Sequence, residues 1–113
     1  MKLSEFVETT GFEVLCLPDA SVTVDEGYTS DLLSDVVSNC PADAVLITVQ
    51  NHTNSIAVCT LVEAVAIVIT HDREIPQEMI ELARNEEIAL FRTPLNQFQA
   101  TCVVASVLNG ATE

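Results

Sequence analysis

The sequence predicts a single α/β domain, and two observations carry that prediction. From Asp43 onward, short apolar runs alternate with amphipathic stretches in the order strand, helix, strand, helix, strand, helix. Repeated strand-helix units pair their strands in parallel through right-handed crossovers, with helices covering the sheet. The chain is also long and apolar enough, at 113 residues and 49% hydrophobic, to bury one core without staples, so residues 1–113 read as one domain.

Each element has a local reason. Leu3 to Thr10 predicts a short helix stopped by Gly11, and Phe12 to Cys16 a strand ending near Pro18. Alternation through Val22 and Val24 predicts a second strand before Gly27. In "YTSDLLSDVVSNCP", Thr29 or Ser30 is the expected N-cap, with Asp31 in the first turn. Leu32, Leu33, Val36 and Val37 would form the apolar face, and Pro41 the stop. Ala44 to Val49 is a buried strand.

The next stretch, "SIAVCTLVEAVAIVIT", suits a strand by propensity but is too long for one and holds no hairpin turn. It divides into a helix, Asn54 to Val62, and a strand, Ala66 to Thr70. Pro76 then opens a helix at its first position, with Ile75, Met79, Leu82 and Ala83 on one face and Glu78, Glu81 and Arg84 on the other. Ala89 to Arg92 is the last strand. Thr93 and Pro94 would start a final helix whose stripe is Leu95, Phe98, Cys102, Ala105 and Leu108, ending at Asn109 and Gly110.

Charge excludes several partners. Seventeen acidic residues against four basic ones give −13, which opposes nucleic-acid backbones and anionic membranes, since both need a basic footprint. Ile56 to Ile69 carries Glu63 and is shorter than the ~20 residues of a membrane span. The N-terminus lacks the basic-then-apolar form of a signal peptide, so a cytoplasmic location is expected. Cys16, Cys40, Cys59 and Cys102 form no C-x-x-C pair and read as buried reduced thiols. No cofactor and no metal site is expected.

The stretches "GFEVL", "YTSDLLSDVV", "ITVQNHTNSIAVCTLVEAVAIVI", "DREIPQEMIELARNEEIALFRTPL" and "FQATCVV" together resemble the small DRTGG-domain proteins. The same domain is similar to the N-terminal domain of bacterial HPr kinase/phosphorylase. Where relatives carry the naming pentapeptide this chain reads "VTVDEG", with only Gly27 matching, so the role of the Val22–Gly27 loop stays open. The resemblance implies a mixed, mostly parallel sheet of about five strands flanked by helices. It also implies a regulatory or assembly module, often a homodimer, whose stand-alone members accompany iron-only hydrogenases. A hydrogenase-related or signalling protein is the partner it suggests. The kinase activity of the longer relative is not expected, because no G-x-x-x-x-G-K-[ST] cradle for phosphates is present.

In an open α/β sheet, ligands bind beyond the carboxyl ends of the parallel strands. The polar run Gln50, Asn51, His52, Thr53, Asn54 falls there, as do both histidines and two of the three arginines. Asn51, Thr53, Asp72 and Thr93 are ordinary capping types. Gln50, His52 and Asn54 exceed what capping needs and serve either a ligand or loop hydrogen bonding. Arg73 and Arg92, beside positive helix ends, suit a small anion or salt bridges to neighbouring acids. The candidate ligand-binding set is therefore Gln50, His52, Asn54, His71, Arg73, Arg92 and Thr93. His52 with His71 and Asp72 lacks metal-ligand spacing, and no serine has a nucleophile context, so no catalytic residue is assigned. Asp31 and Asp35 read as a solvated or dimer-facing pair. For a dimer, the apolar stretch Ile56 to Ile69 is the expected source of contact area.

Overall fold

In the computed structural model, which describes residues 1–110, the order is α1 (Leu3–Thr10), β1 (Glu13–Cys16), β2 (Glu26–Thr29), α2 (Leu33–Asn39), β3 (Ala44–Thr48), α3 (Thr53–Val62), β4 (Ala66–Ile69), α4 (Gln77–Asn85), β5 (Ala89–Arg92) and α5 (Gln97–Gly110). Residues 111–113 of the predicted domain lie outside the described residues. The sheet runs β1-β5-β4-β3-β2, with β1 antiparallel to β5 and the other pairs parallel. This is the mixed, mostly parallel α/β fold that the sequence and its resemblance imply.

Successive strand side chains point to opposite faces, and both faces are apolar because both are covered. Val45, Ile47, Ala66, Val68, Ala89 and Phe91 meet Leu3 and Phe6 of α1 and Ala100 and Val104 of α5. Leu46, Ile67, Ile69 and Leu90 meet Val36, Ile56, Cys59, Met79 and Ala83 of α2, α3 and α4. The division of residues 54–70 into helix and strand holds. Glu63 makes the turn without a glycine, in left-handed conformation (φ +63°), while the Ala64 amide donates to the Cys59 carbonyl at 2.9 Å.

Several expectations are corrected. The second strand is Glu26–Thr29, not Val22–Val24. Val22 and Val24 are instead drawn to the N-terminus: the Leu3 amide donates to the Val22 carbonyl, the Val24 amide to the Met1 carbonyl, and Lys2 bridges Thr23. Gly27 therefore lies inside a strand, where a Cβ would stand 3.2 Å from Val104 Cγ1, so its lack of a side chain lets α5 approach β2. Neither Thr29 nor Ser30 is the N-cap of α2: Thr29 ends β2, the cap position is Leu32, and only Val36 of the predicted face is buried. Pro76 occupies the cap position of α4 rather than its first turn.

The largest correction concerns α5. It begins at Gln97, not Pro94. The Gln99 amide donates to Asn96 Oδ1 at 2.8 Å and the Asn96 amide donates to Gln99 Oε1 at 3.1 Å, a reciprocal cap. Ala100 and Val104 turn inward, while Phe98, Cys102 and Ala105 of the predicted stripe are exposed. The thiol expectation is corrected with it: Cys16 and Cys59 are buried, Cys40 is half-buried, Cys102 is exposed, and all four are free. Burial pushes the Cys59 thiol up to about 12. Most of the apolarity of Ile56 to Ile69 belongs to the core, since Ile56, Cys59, Ala64 and Ala66–Ile69 are buried within the chain, while Leu61 is exposed.

Candidate functional site

The carboxyl ends of β2, β3, β4 and β5 lie along one edge of the sheet, and all seven candidate residues fall on or just beyond it. They divide into two groups. The first is built around Asp31, which the sequence reading placed in a helix. Asp31 lies between β2 and α2, and its Oδ1 accepts from Thr48 Oγ1 at 3.1 Å and from the Val49 amide at 2.9 Å. The Gln97 amide reaches the same carboxylate from α5. With its nitrogen toward Asp31, the orientation that satisfies both its ends, it donates at 2.7 and 2.9 Å and accepts from Thr29 Oγ1 at 2.7 Å.

Gln50 hangs from this node. Its Nε2 donates to the Asp31 carbonyl at 2.8 Å, which turns Oε1 toward His52 Nε2 at 3.1 Å. Because that amide oxygen only accepts, Nε2 of His52 is the donor of this bond. His52 is exposed at the cap position of α3, whose first turn has no side-chain cap; the Ser55 amide donates to the His52 carbonyl at 3.0 Å, so the Thr53 and Asn54 amides are the donors the helix start offers at the edge. Neither Asn51 nor Thr53 caps it. Asn51 Nδ2 instead donates to the Glu74 carbonyl at 2.7 Å, and Thr53 is the first helical residue. Asn54 is exposed on that first turn.

The second group surrounds the turn after β4. His71 and Asp72 both hold positive φ, +63° and +53°, the pair of left-handed residues a type I′ turn needs. The segment after β5 supports them: the His71 amide donates to the Leu95 carbonyl and the Asp72 amide to the Thr93 carbonyl, each at 2.9 Å. Both side chains and that of Arg73 are left exposed. Thr93 is buried and caps no helix; its Oγ1 accepts from the Leu95 amide at 3.2 Å.

Arg92 is held by acids. It donates through Nε and another guanidinium nitrogen to the two carboxylate oxygens of Glu13, at 2.8 and 3.2 Å, because the antiparallel register sets Glu13 opposite Arg92. Asp72 stands 3.7 Å away, and these acids, Glu13 first, hold the guanidinium pKa above its ordinary value. Among the described residues, no hydrogen bond or ion pair joins His52 to Arg73 or Arg92; the Asn51–Glu74 contact links the two groups. Asp35, predicted to share a surface with Asp31, faces elsewhere. It accepts from Tyr28 Oη at 2.7 Å and from Asn39 Nδ2 at 2.9 Å, and these two bonds, Tyr28 first, hold its carboxyl below the usual range.

Asp31 and Gln97 are the residues that sequence reading missed. Their signal was hidden by the displaced strand: with β2 ending at Thr29, Asp31 becomes the strand-end residue of that unit. Clefts of about 440, 230 and 210 Å³ lie beside β1, between β2 and α5, and between α3 and α4, and none of the seven candidates lines them. The edge is open and polar. Among the described residues, no group of three or more His, Cys, Asp or Glu side chains is placed to hold a metal ion, and no helix is long and apolar enough to cross a membrane.

No family model matches the chain, and no curated protein matches it. Among solved structures, it is similar to the CBS and DRTGG domains of the regulatory region of Clostridium perfringens pyrophosphatase, determined in complex with the activator diadenosine tetraphosphate. The TM-score is 0.71 at 16% identity, over 95% of this chain and 47% of that one. This chain thus spans about half of that region. The likeness supports a DRTGG-domain-like fold, in a neighbour that is regulatory rather than catalytic.

Proposed function

We propose that this protein is a non-catalytic regulatory module that binds a small anionic ligand or nucleotide at the strand carboxyl edge. The observation that carries the reading is the preset donor-acceptor pair Gln50–His52 beside the uncapped first turn of α3, with exposed Arg73 across the edge. The fold neighbour's complex with a dinucleotide supports the ligand class. Arg73, His71 and the α3 N–H groups would meet the anion; Gln50, His52 and Asn54 would read its polar part. Arg92 and Thr93 would shape the edge, since their polar groups are already engaged. On the resemblance alone, the module would serve hydrogenase or redox metabolism in the cytoplasm.

A thermal-shift screen with nucleotides, phosphates and metal ions tests the reading, because only a ligand that prefers the folded state raises the midpoint. Arg73→Ala should weaken binding at least several-fold in calorimetry while leaving the fold intact, and Arg92→Ala should weaken it less. Unchanged affinity in both variants would remove the anion from this edge. Incubation with ATP and magnesium should give no hydrolysis or transfer above buffer. The only lysine, Lys2, is at the N-terminus, and no glycine lies between Gly27 and Gly110 to cradle phosphates.

The second reading is a homodimeric assembly module with no small-molecule ligand. It is favoured by the open form of the edge and by an uncharged, exposed face on α5. A ligand-free screen together with stable self-association would select it.

A further inference from the structure

We propose that the outer edge of β1, together with Arg84 of α4, docks an extended segment of a different protein, which adds to the sheet as a strand and sets one acidic side chain, flanked by apolar ones, against Arg84. This goes beyond the ligand reading, and none of these residues belongs to the strand-edge site. The sheet ends in β1 on one side and β2 on the other. β1 pairs only with β5, and alternate residues of an antiparallel strand turn their N–H and C=O groups away from the partner. Apart from that pairing, the backbone of residues 14–17 makes no hydrogen bond among the described residues. Unpaired backbone groups along a sheet edge are a template for a further strand.

The cleft of about 440 Å³ lies beside this edge, lined by Val14, Leu15, Cys16, Leu17, Pro18 and Arg84. Val14 stands opposite Phe91 and so faces the α1/α5 side, where Leu17 also packs, whereas the register shift before Cys16 puts Leu15 and Cys16 both on the α4 side. Successive residues of an added strand point alternately to the two sides. An acid that meets Arg84 is therefore flanked by residues that meet Val14, 41% exposed, and Leu17. Charge decides the occupant. Of the residues lining the cleft only Arg84 is charged, and among the described residues its guanidinium makes no ion pair or hydrogen bond. A chain of −13 repels carboxylates over most of its surface and admits one here. The other end of the sheet does not offer this, because the cleft beside β2 is lined by Asp25 and Glu26.

The probe is the blocked peptide acetyl-Ser-Thr-Val-Glu-Val-Thr-Ser-amide, titrated into the isotope-labelled intact chain and followed by amide NMR. Saturable shifts are expected at residues 14–17 and at Arg84, and none at residues 48–54. Glutamine in place of the peptide's glutamate should weaken binding about tenfold, and Arg84→Glu should do the same. A peptide with lysine in that place should prefer Arg84→Glu to the wild type. Arg84 is exposed, so the variant should keep the wild-type circular dichroism spectrum, and the glutamine peptide tests the same contact without any variant. Methylating the backbone nitrogen of the peptide's glutamate, or of the valine after it, should act unequally: an added strand bonds through every second amide, so one methyl abolishes binding and the other spares it. Absence of saturable shifts, equal affinity for the glutamate and glutamine peptides, or equal effects of the two methyl groups would overturn the proposal. So would shifts of residues 14–17 with inorganic phosphate but not with peptide, which would make the cleft a small-anion pocket, or shifts there on diluting the protein alone, which would place a second copy on the edge.

Discussion

Phe91→Ala should lower the melting midpoint by more than about 10 °C: loss of a buried phenylalanine costs about 3–5 kcal/mol, and each kcal/mol moves a domain near this size by roughly 4–8 °C. Phe91 is fully buried at the centre of the α1/α5 face, with its ring centroid 5.5 Å from that of Phe6, which itself meets Phe12 at 6.1 Å. Removing the ring leaves a cavity that three elements cannot close, because α1 is held to residues 20–24 by backbone hydrogen bonds. A double-mutant cycle with Phe6→Ala should recover a coupling of about 0.5–1.5 kcal/mol for the aromatic pair. A shift of only a degree or two in Phe91→Ala, followed by thermal denaturation, would contradict the two-faced core.

The second large effect is expected at Asp31, and it reaches the site. Asp31→Ala removes an acceptor shared by Thr48, Val49 and Gln97, and it loosens the loop carbonyl that orients Gln50. The stability loss should be about 1–2 kcal/mol, since the carboxylate is solvent-exposed and water replaces part of what is lost. Any ligand that binds through His52 should bind more weakly by a larger factor than this loss explains, because the ring loses the Gln50 amide that positions it. Asp31→Asn retains an acceptor oxygen for Thr48 and Val49, and Gln97 can turn its amide to match the new donor. It should therefore restore most of the stability and the histidine's nitrogen shifts in an NMR spectrum. Equal loss in the Ala and Asn variants would mean that Asp31 acts through charge rather than through this geometry.

What the sequence made legible follows from how local each signal is. The α1 boundaries, the last strand and the division of residues 54–70 rest on Gly11, on short apolar runs and on length, all of which are read within one window. The second strand was misplaced because the alternation at Val22 and Val24 is real but is satisfied by pairing with Met1–Lys2, while Gly27 looked like a breaker and is a strand residue. On α5 the sequence reading took one stripe, through Phe98, Cys102 and Ala105, and did not see the second, through Ala100 and Val104; the cap at Asn96 and the approach to Gly27 decide that the second faces the sheet. At the site, Gln50 and His52 stood out by composition. Asp31, Gln97 and Glu13 did not, because their partners lie 17 to 79 positions away along the chain. For Arg92 the choice between anion and acid was open in the sequence, and the antiparallel register with Glu13 supplies the acid.

The central claim is that a ligand meets the edge formed by residues 48–54 and 70–74. Amide NMR spectra recorded during titration with ATP and magnesium, with ADP, and with inorganic phosphate test it most directly. The account predicts saturable shifts confined to Thr48–Asn54 and Thr70–Glu74 for at least one of these probes, diminished in Arg73→Ala. No saturable shift with any probe, or shifts centred instead on the Val14–Pro18 cleft beside β1, would contradict it.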